Sequence, residues 1–215
     1  MFTPKAFKED NFENIRTFIK EQPQATVIAK TGNRLESCHI HMYWQDDDST
    51  FGCLYGHIAK VNTLNNSDNN APWLIIFQDA GHYISPNWYP SKLTTHKEVP
   101  TWNYRSVHIT GNVSLLTEHE HLNEILSKKT ADFEANKPNP WSLDDASEKY
   151  IHAMCRAVVG IRVDIKDVQA QFKLSQNKTA ENRVGVVVGL KELRTAKADE
   201  MATLVEKVNQ NLTQL

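Results

Sequence analysis

The sequence predicts an α+β fold, mostly β, in which helices are inserted into an antiparallel β-barrel and follow it at the C-terminal end. Residues 107–115 and 157–166 alternate apolar and polar side chains, the period of strands that bury one face. Apolar residues at helical spacing lie before the strands, between them and after Thr179. Because helices do not alternate with every strand, the pattern favours this architecture over a βαβ repeat.

The elements follow in chain order, each bounded by its own sequence signals. Asp10-x-x-Glu13 predicts the start of a helix that ends before Pro23. Thr117-x-x-Glu120 predicts a capping box at the start of another helix, and a further helix is predicted over 147–155. The C-terminal helical region is predicted to break near Gly189. The predicted strands cover residues 25–30, 35–44, 51–61, 73–78, 107–115 and 157–166.

Composition limits the class of protein. The chain has 215 residues and a formal net charge of −2, which gives no general electrostatic basis for binding nucleic acid or an anionic membrane. Its three cysteines lie far apart, and no apolar run has the length of a membrane span, so a cytoplasmic protein with reduced thiols and no membrane partner is expected. We predict a barrel domain over residues 1–178 and a helical extension of the same domain over 179–215.

The segment from Gly81 to Gly111 has the composition of a ligand site. Its aromatic side chains can cover the face of a ring, its cations and hydroxyl groups can meet a phosphate, and its prolines stiffen the loop. The same composition also suits a loop that covers the core of a β protein, and composition alone leaves both possibilities open.

Three shorter motifs offer ligand contacts, and each has an ordinary structural alternative. Gly56-His57-x-Ala59-x-x-Asn62 combines small residues with polar ones, but it also suits a strand that ends in a polar turn. The segments 85–92 and 99–104 supply hydroxyl groups, aromatic rings and a cation, whereas a lone tryptophan more often packs. Residues 173–178 supply cations and amides, or simply an exposed strand end. His39-x-His41 allows two metal ligands on one strand face, but spacing fixes no third, and no metal site is predicted.

The chain resembles the PaiB family, the FMN-binding negative transcriptional regulators, over nearly its whole length. The motifs that carry the resemblance are Met1-Phe2-x-Pro4-x-x-Phe7, Gly56-His57-Ile58-Ala59-x-x-Asn62, Tyr83-Ile84-Ser85-Pro86-x-Trp88-Tyr89-x-x-Lys92, Val99-Pro100-Thr101-Trp102-Asn103-Tyr104 and Phe172-Lys173-Leu174-Ser175-Gln176-Asn177. The chain departs from the family pattern at Ser37-Cys38, at Asp79-Ala80-Gly81 and at Gly185 with the valines that follow it.

The resemblance implies an FMN-binding split barrel that forms a homodimer, with the flavin between subunits. It implies that the FMN phosphate is contacted by Lys92, Thr101, Lys173 and Ser175. It also implies a second group of residues that lies near the isoalloxazine ring or ribityl chain, or lines the same cleft: Trp102, Asn103, Gln176, Asn177, His57 and Asn62.

Three functions remain open from the sequence. The family name implies a negative transcriptional regulator that acts through DNA, through a protein partner, or indirectly through a bound flavin or metabolite. The fold implied by the resemblance also suits a flavin-dependent oxidoreductase acting on a small substrate. A degenerate split barrel that binds no flavin is the third possibility. Whether the protein is an enzyme is not decided by the sequence, and no catalytic residue is predicted.

Overall fold

Nine strands and six α-helices form the regular structure of the residues described by this computed structural model, 1–68 and 71–213. The strands are β1 (Lys8–Glu9), β2 (Gln24–Thr31), β3 (Arg34–His41), β4 (Tyr43–Gln45), β5 (Cys53–Ala59), β6 (Trp73–Gln78), β7 (His82–Ile84), β8 (Thr101–Leu116) and β9 (Val158–Lys173). The α-helices are α1 (Phe12–Glu21), α2 (Lys92–Thr95), α3 (His119–Glu134), α4 (Glu148–Cys155), α5 (Ala180–Glu192) and α6 (Ala196–Thr213).

The strands join in the order β3-β2-β6-β8-β9-β5-β4, with β1 added beside β9 and β7 beside β8. Some consecutive strands pair antiparallel, as in β2 with β3 and β4 with β5, and so do some strands distant in sequence, as in β5 with β9. The predicted α+β class with an antiparallel sheet is therefore confirmed.

Two predicted strands differ from those observed. The predicted strand 35–44 is interrupted at Met42, whose backbone N–H donates to the carbonyl of Pro23 (2.9 Å) and whose side chain is buried. The strand β8 begins at Thr101, six residues before the predicted start. The alternation of apolar and polar residues is lost there because the polar Asn103, Arg105 and Ser106 are all buried.

Helix starts are set by residues next to those predicted. Asn11, not Asp10, caps α1, because its Oδ1 accepts from the backbone N–H groups of Glu13 (2.9 Å) and Asn14 (3.4 Å). The predicted capping box at Thr117 does not form: the helix α3 starts after Glu118, which makes no side-chain cap. These errors of one residue are typical of helix boundaries.

The C-terminal region continues through the predicted break. The helix α5 is capped by Thr179, whose Oγ1 accepts from the Asn182 N–H (3.3 Å), and it passes Gly189 without interruption. The chain turns instead at residues 193–195, where Arg194 has a left-handed backbone (φ 52°). The prediction of a break near Gly189 is therefore wrong. The glycines lie within the helix, where the absence of a side chain allows close packing.

The described residues divide into two compact units, and both long strands contribute to each of them. The first unit comprises residues 1–15, 78–107 and 169–215, and the second comprises 16–77 and 108–168. In the first unit the apolar faces of α5 and α6 share one core with Ile84, Tyr89 and Leu174. The apolar stripe of the last helix is therefore covered within its own chain. The predicted boundary at residue 178 stays a prediction.

Gly185 lies where the helix α5 passes closest to the segment after β7. A Cβ at this position would overlap the backbone carbonyl of Trp88 and press on the Pro90 ring. We expect Gly185→Ala to destabilise the protein by about 1–3 kcal/mol, although alanine is the better helix former, because a backbone carbonyl cannot rotate out of the way. Urea unfolding of the variant measures this, with Glu192→Ala on the exposed end of the same helix as control. A stabilised Gly185→Ala variant would show that the close approach is not tight.

Candidate functional site

Lys173 and Thr101 bring together the end of β9 and the start of β8 in the first unit. The Lys173 Nζ donates to the Thr101 Oγ1 at 2.6 Å and lies 5.6 Å from the centre of the Phe7 ring. Within the part of the chain that the structure describes, no carboxylate forms an ion pair with Lys173. A half-buried ammonium group without a counter-ion, held beside a hydroxyl group, is a site for an anion.

Asn103 and Ser175 form a second, buried contact between the same two strand ends. The Asn103 Nδ2 donates to the Ser175 Oγ (2.9 Å), and the Ser175 hydroxyl faces the Asn103 Oδ1 (3.2 Å). Both residues are at most 2% exposed. Ser175 also has a left-handed backbone (φ 65°), which costs energy for a residue with a Cβ. The pair fixes the turn that follows Lys173.

Gln176 completes this turn with its own side chain. Its Oε1 accepts from the Leu174 N–H (2.6 Å), and its Nε2 donates to the Phe172 carbonyl (2.5 Å). The amide predicted to meet a heterocycle is thus engaged with the backbone on either side of Lys173. Asn177, the next residue, is exposed to solvent.

Trp102 presents an exposed indole ring on β8. Its Nε1 donates to the Ala80 carbonyl (3.2 Å), and its side chain is on the opposite face of the strand from Thr101 and Asn103. A Cβ on Gly81 would collide with this indole and with the Asn103 carbonyl, so the glycine permits the approach. Gly81 also has φ 59°, a conformation that favours glycine.

The other predicted cation, Lys92, starts the short helix α2 and donates to the Asn87 side chain. Sequence reasoning missed the network beside it. The Ser91 Oγ donates to Glu98 (2.9 Å) and accepts from the Asn182 Nδ2 (2.8 Å), and Lys178 pairs with the other oxygen of Glu98 (2.5 Å). Lys178 is therefore neutralised, whereas Lys173 is not.

Hydrogen bonds from Lys178 and Ser91 hold the pKa of Glu98 below its ordinary value, and stability should therefore depend on pH. A carboxyl group with a lowered pKa in the folded state stabilises the protein above its unfolded pKa, near 4.5, and this contribution is lost as the pH falls through the folded pKa. We expect Glu98→Gln to cost about 1 kcal/mol or less at pH 7, because the pair is partly solvated. The cost should shrink below pH 4.5. Thermal unfolding from pH 3 to pH 7 measures it, and a cost independent of pH would contradict the role of this carboxylate.

The two remaining predicted residues, His57 and Asn62, belong to the second unit. The His57 Nδ1 lies 3.3 Å from the Lys129 Nζ; burial, followed by the charges of Lys129 and His41, lowers the His57 pKa to about 4, so the imidazole is neutral at pH 7. The Asn62 side chain caps a short 3₁₀ helix by accepting from the Leu64 N–H (2.9 Å) and donates to the Cys38 sulfur (3.2 Å). Both polar groups of Asn62 thus have structural partners.

These contacts define what the first unit can do chemically. Lys173 and Thr101 can hold an anionic oxygen, and Trp102 offers a ring face close in sequence. Among the described residues no cluster of histidine, cysteine and carboxylate side chains could hold a metal ion. None of the helices described is long and apolar enough to cross a membrane.

Solved structures share the fold of this chain at low sequence identity. The flavocytochrome Anf3 from Azotobacter vinelandii superposes with a TM-score of 0.57 and 13% identity, covering 77% of this chain and 69% of its own. The FAD- and heme-binding protein from Mycobacterium smegmatis gives a TM-score of 0.54 and 13% identity, covering 77% of this chain and 73% of its own. The fold is that of the flavin-binding split-barrel proteins.

Sequence comparison specifies the family. The model described as "Putative FMN-binding domain" matches residues 1–167, and the chain belongs to this family. The "Protease synthase and sporulation protein PAI 2" of Bacillus subtilis (strain 168) is 31% identical over 207 residues, covering 96% of this chain and 97% of that protein. An uncharacterized protein of Aspergillus fumigatus is 29% identical, with 91% and 92% covered. The predicted resemblance to the PaiB family is confirmed, and the family supports a flavin cofactor.

Proposed function

We propose that this chain binds FMN and that Lys173 and Thr101 hold its phosphate group. The observation that carries this proposal is the half-buried Lys173 ammonium group, which contacts a hydroxyl group and the Phe7 ring but forms no ion pair with a carboxylate among the described residues. Its neighbour Lys178 has Glu98 as counter-ion and offers far less attraction to a phosphate.

The predicted residues then divide by role. Asn103, Ser175 and Gln176 hydrogen-bond with one another or with the backbone, and they position Lys173 instead of meeting the ligand. Lys92, Trp102 and Asn177 keep side chains at least partly open to solvent, and they remain candidates for direct contact. For His57 and Asn62 a flavin contact stays a prediction.

A bound flavin would supply electron or hydride transfer, and the protein's part is to bind and orient it. In this chain the ammonium group of Lys173 would neutralise phosphate charge. The Thr101 hydroxyl would donate to a phosphate oxygen while its own oxygen accepts from Lys173. The buried Asn103–Ser175 pair would keep both groups in place before the ligand arrives.

Titration of the purified protein with FMN and with riboflavin tests the proposal. Riboflavin has the same ring and ribityl chain but no phosphate, so the difference in affinity isolates the phosphate contact. We expect a perturbed visible spectrum with FMN and an affinity for riboflavin about ten-fold lower or more. Failure of FMN to bind at any concentration tested would overturn the proposal. Equal affinities for FMN and riboflavin would show that the protein does not bind the phosphate group of FMN.

We further propose that the chain acts in regulation through its flavin-bound state, without reading DNA directly. The support is the relative from B. subtilis, whose name refers to protease synthesis and sporulation. Residues 179–215 hold five Lys/Arg and five Asp/Glu, so this region is no basic surface for phosphodiesters. Measuring the binding of the protein to promoter-length DNA duplexes at two salt concentrations tests whether it reads DNA directly. Specific, salt-dependent binding would show direct recognition of DNA and would contradict this proposal.

The homodimer implied by the resemblance and the cytoplasmic location expected from the cysteines remain predictions. Sedimentation equilibrium with and without FMN measures the first. A dimer that forms only with FMN would indicate that the ligand contributes to the interface. A monomer both with and without FMN would contradict the expected flavin site between subunits.

A further inference from the structure

A cavity in the second unit has no role in the proposed phosphate site. It has a volume of about 340 Å³ and is lined by residues of α1, of the segment that leads from β3 into β4, and of α3. Aromatic side chains form much of its wall: Tyr43, Trp44, Phe133 and His41. The rings of His41 and Phe133 lie against each other, with centroids 5.5 Å apart. The cavity has the size and lining of a small-molecule site with a flat, apolar body.

The polar groups of this cavity are mostly cationic. Arg16, Lys20, Lys128 and Lys129 line it together with two carboxylates, Asp46 and Asp132. Arg16 pairs with Asp46 (2.5 Å) and lies 5.3 Å from the centre of the Trp44 ring, while its Nε is buried without a hydrogen-bond partner among the described residues. The excess of cations over carboxylates favours an anionic ligand.

Lys129 differs from the other lysines of the cavity. Its Nζ faces the His57 Nδ1 at 3.3 Å, and no described carboxylate forms an ion pair with it. Burial lowers its pKa to about 8, so an appreciable fraction of the amine is uncharged near neutral pH. The neutral imidazole of His57 can accept a hydrogen bond from this amine, which holds the nitrogen in place.

We propose that this cavity binds small aromatic anions that carry a carbonyl group, and that Lys129 is the amine that attacks this carbonyl. The ligand's ring would lie among Tyr43, Trp44 and Phe133, and its carboxylate or similar group would meet Arg16 or Lys128. A partly buried amine that has no carboxylate partner among the described residues is an arrangement that activates lysine as a nucleophile.

The covalent step balances without an added oxidant or reductant. The uncharged Lys129 nitrogen bonds to the carbonyl carbon, the carbonyl oxygen leaves as water with the two hydrogens lost from the nitrogen, and an imine remains. Hydrolysis reverses the step. The imine is trapped in the laboratory by a hydride from sodium cyanoborohydride, which makes the linkage permanent.

Labelling with para-formylbenzoate and cyanoborohydride at pH 7.5, read by peptide mass spectrometry, tests the proposal. We expect Lys129 to be modified roughly ten-fold faster than Lys60 or Lys97, which are exposed outside the cavity and act as internal controls, because burial lowers the pKa of Lys129. Its rate should saturate with aldehyde concentration and level off above about pH 8.5, whereas the rates of exposed lysines continue to rise towards pH 10.

Three variants distinguish labelling of Lys129 in the cavity from the general reactivity of lysine side chains. Lys129→Met keeps an apolar stem and should abolish the saturable labelling, Arg16→Met should raise the half-saturating concentration, and the exposed Lys60→Met should change neither. Labelling spread over all exposed lysines without saturation would overturn the proposal. Protection of Lys129 by FMN would also overturn it, by assigning the cavity to the flavin.

Discussion

Replacing Lys173 with methionine is expected to lower the affinity for FMN about 10- to 100-fold and to leave the affinity for riboflavin almost unchanged. A hydrogen bond between a charged donor and a phosphate contributes about 1.5–3 kcal/mol, which corresponds to this range. Methionine keeps an unbranched apolar side chain of similar length and removes the ammonium group that lies 5.6 Å from the centre of the Phe7 ring. The measurement is fluorescence quenching of each flavin as protein is added.

Thr101→Val provides the matched second variant. Valine keeps the branched shape and removes only the hydroxyl group that Lys173 contacts, so we expect a smaller loss of FMN affinity, about 2- to 10-fold. Because the two side chains act on the same phosphate, the double variant should lose less than the sum of the single losses.

Lys178→Met is the informative control for Lys173→Met. Lys178 lies in the same segment but forms an ion pair with Glu98 (2.5 Å), so it should affect stability more than FMN binding. If Lys178→Met weakened FMN binding as strongly as Lys173→Met, net positive charge and not the contact at Thr101 would account for the affinity. Equal loss of FMN and riboflavin in Lys173→Met would likewise place the lysine away from the phosphate.

The strands that alternate strictly could be predicted, and those with buried polar residues could not. The alternation that includes Val107 and Ile109 predicts the strand over 107–115 because both of these side chains are fully buried in the core. In the first half of β8, Asn103 and Arg105 are as buried as the apolar residues, and their partners lie far along the chain. The periodic pattern identifies a strand only through its apolar side chains. It therefore fails where polar side chains are buried and hydrogen-bonded.

The candidate site shows the same limit. The motif containing Lys173 and Ser175 could be recognised in the sequence, but the difference between Lys173 and Lys178 depends on Glu98, which is 80 residues away. Likewise, the amides of Asn103 and Gln176 have the right chemistry for a ligand. The first is hydrogen-bonded to Ser175 and the second to the backbone of two neighbouring residues. Which donor remains available is decided by tertiary contacts.

The second large effect is expected from Asp79, which lies at a departure from the family pattern. Its Oδ1 accepts from the backbone N–H groups of Arg105 (3.0 Å) and Gly81 (3.1 Å), and its Oδ2 accepts from the Arg105 Nε (2.8 Å). The Arg105 and Asp79 side chains are only 6% and 10% exposed. Arg105 also lies 3.8 Å from Glu200, a carboxylate that is largely in solvent.

Asp79→Ala should therefore destabilise the protein by about 3–5 kcal/mol, because it leaves the buried Arg105 guanidinium without its close counter-ion. Urea unfolding at pH 7 measures the change. Glu200→Gln, which alters the distant and exposed partner, should cost about 0.5 kcal/mol or less. The double variant Asp79→Ala/Arg105→Met should recover part of the lost stability, because it also removes the buried guanidinium charge.

The same carboxylate connects stability to the proposed site. By holding the Gly81 N–H, Asp79 fixes the turn in which Ala80 accepts from the Trp102 indole, and by holding Arg105 it fixes β8 two residues after Asn103. At a temperature where Asp79→Ala is still folded, its FMN affinity should therefore fall although no ligand contact was removed. If Asp79→Ala lowered the stability by only about 1 kcal/mol or less, other groups would compensate the charge of Arg105 in the variant. The conformation of the turn would then depend on Gly81 and not on the ion pair.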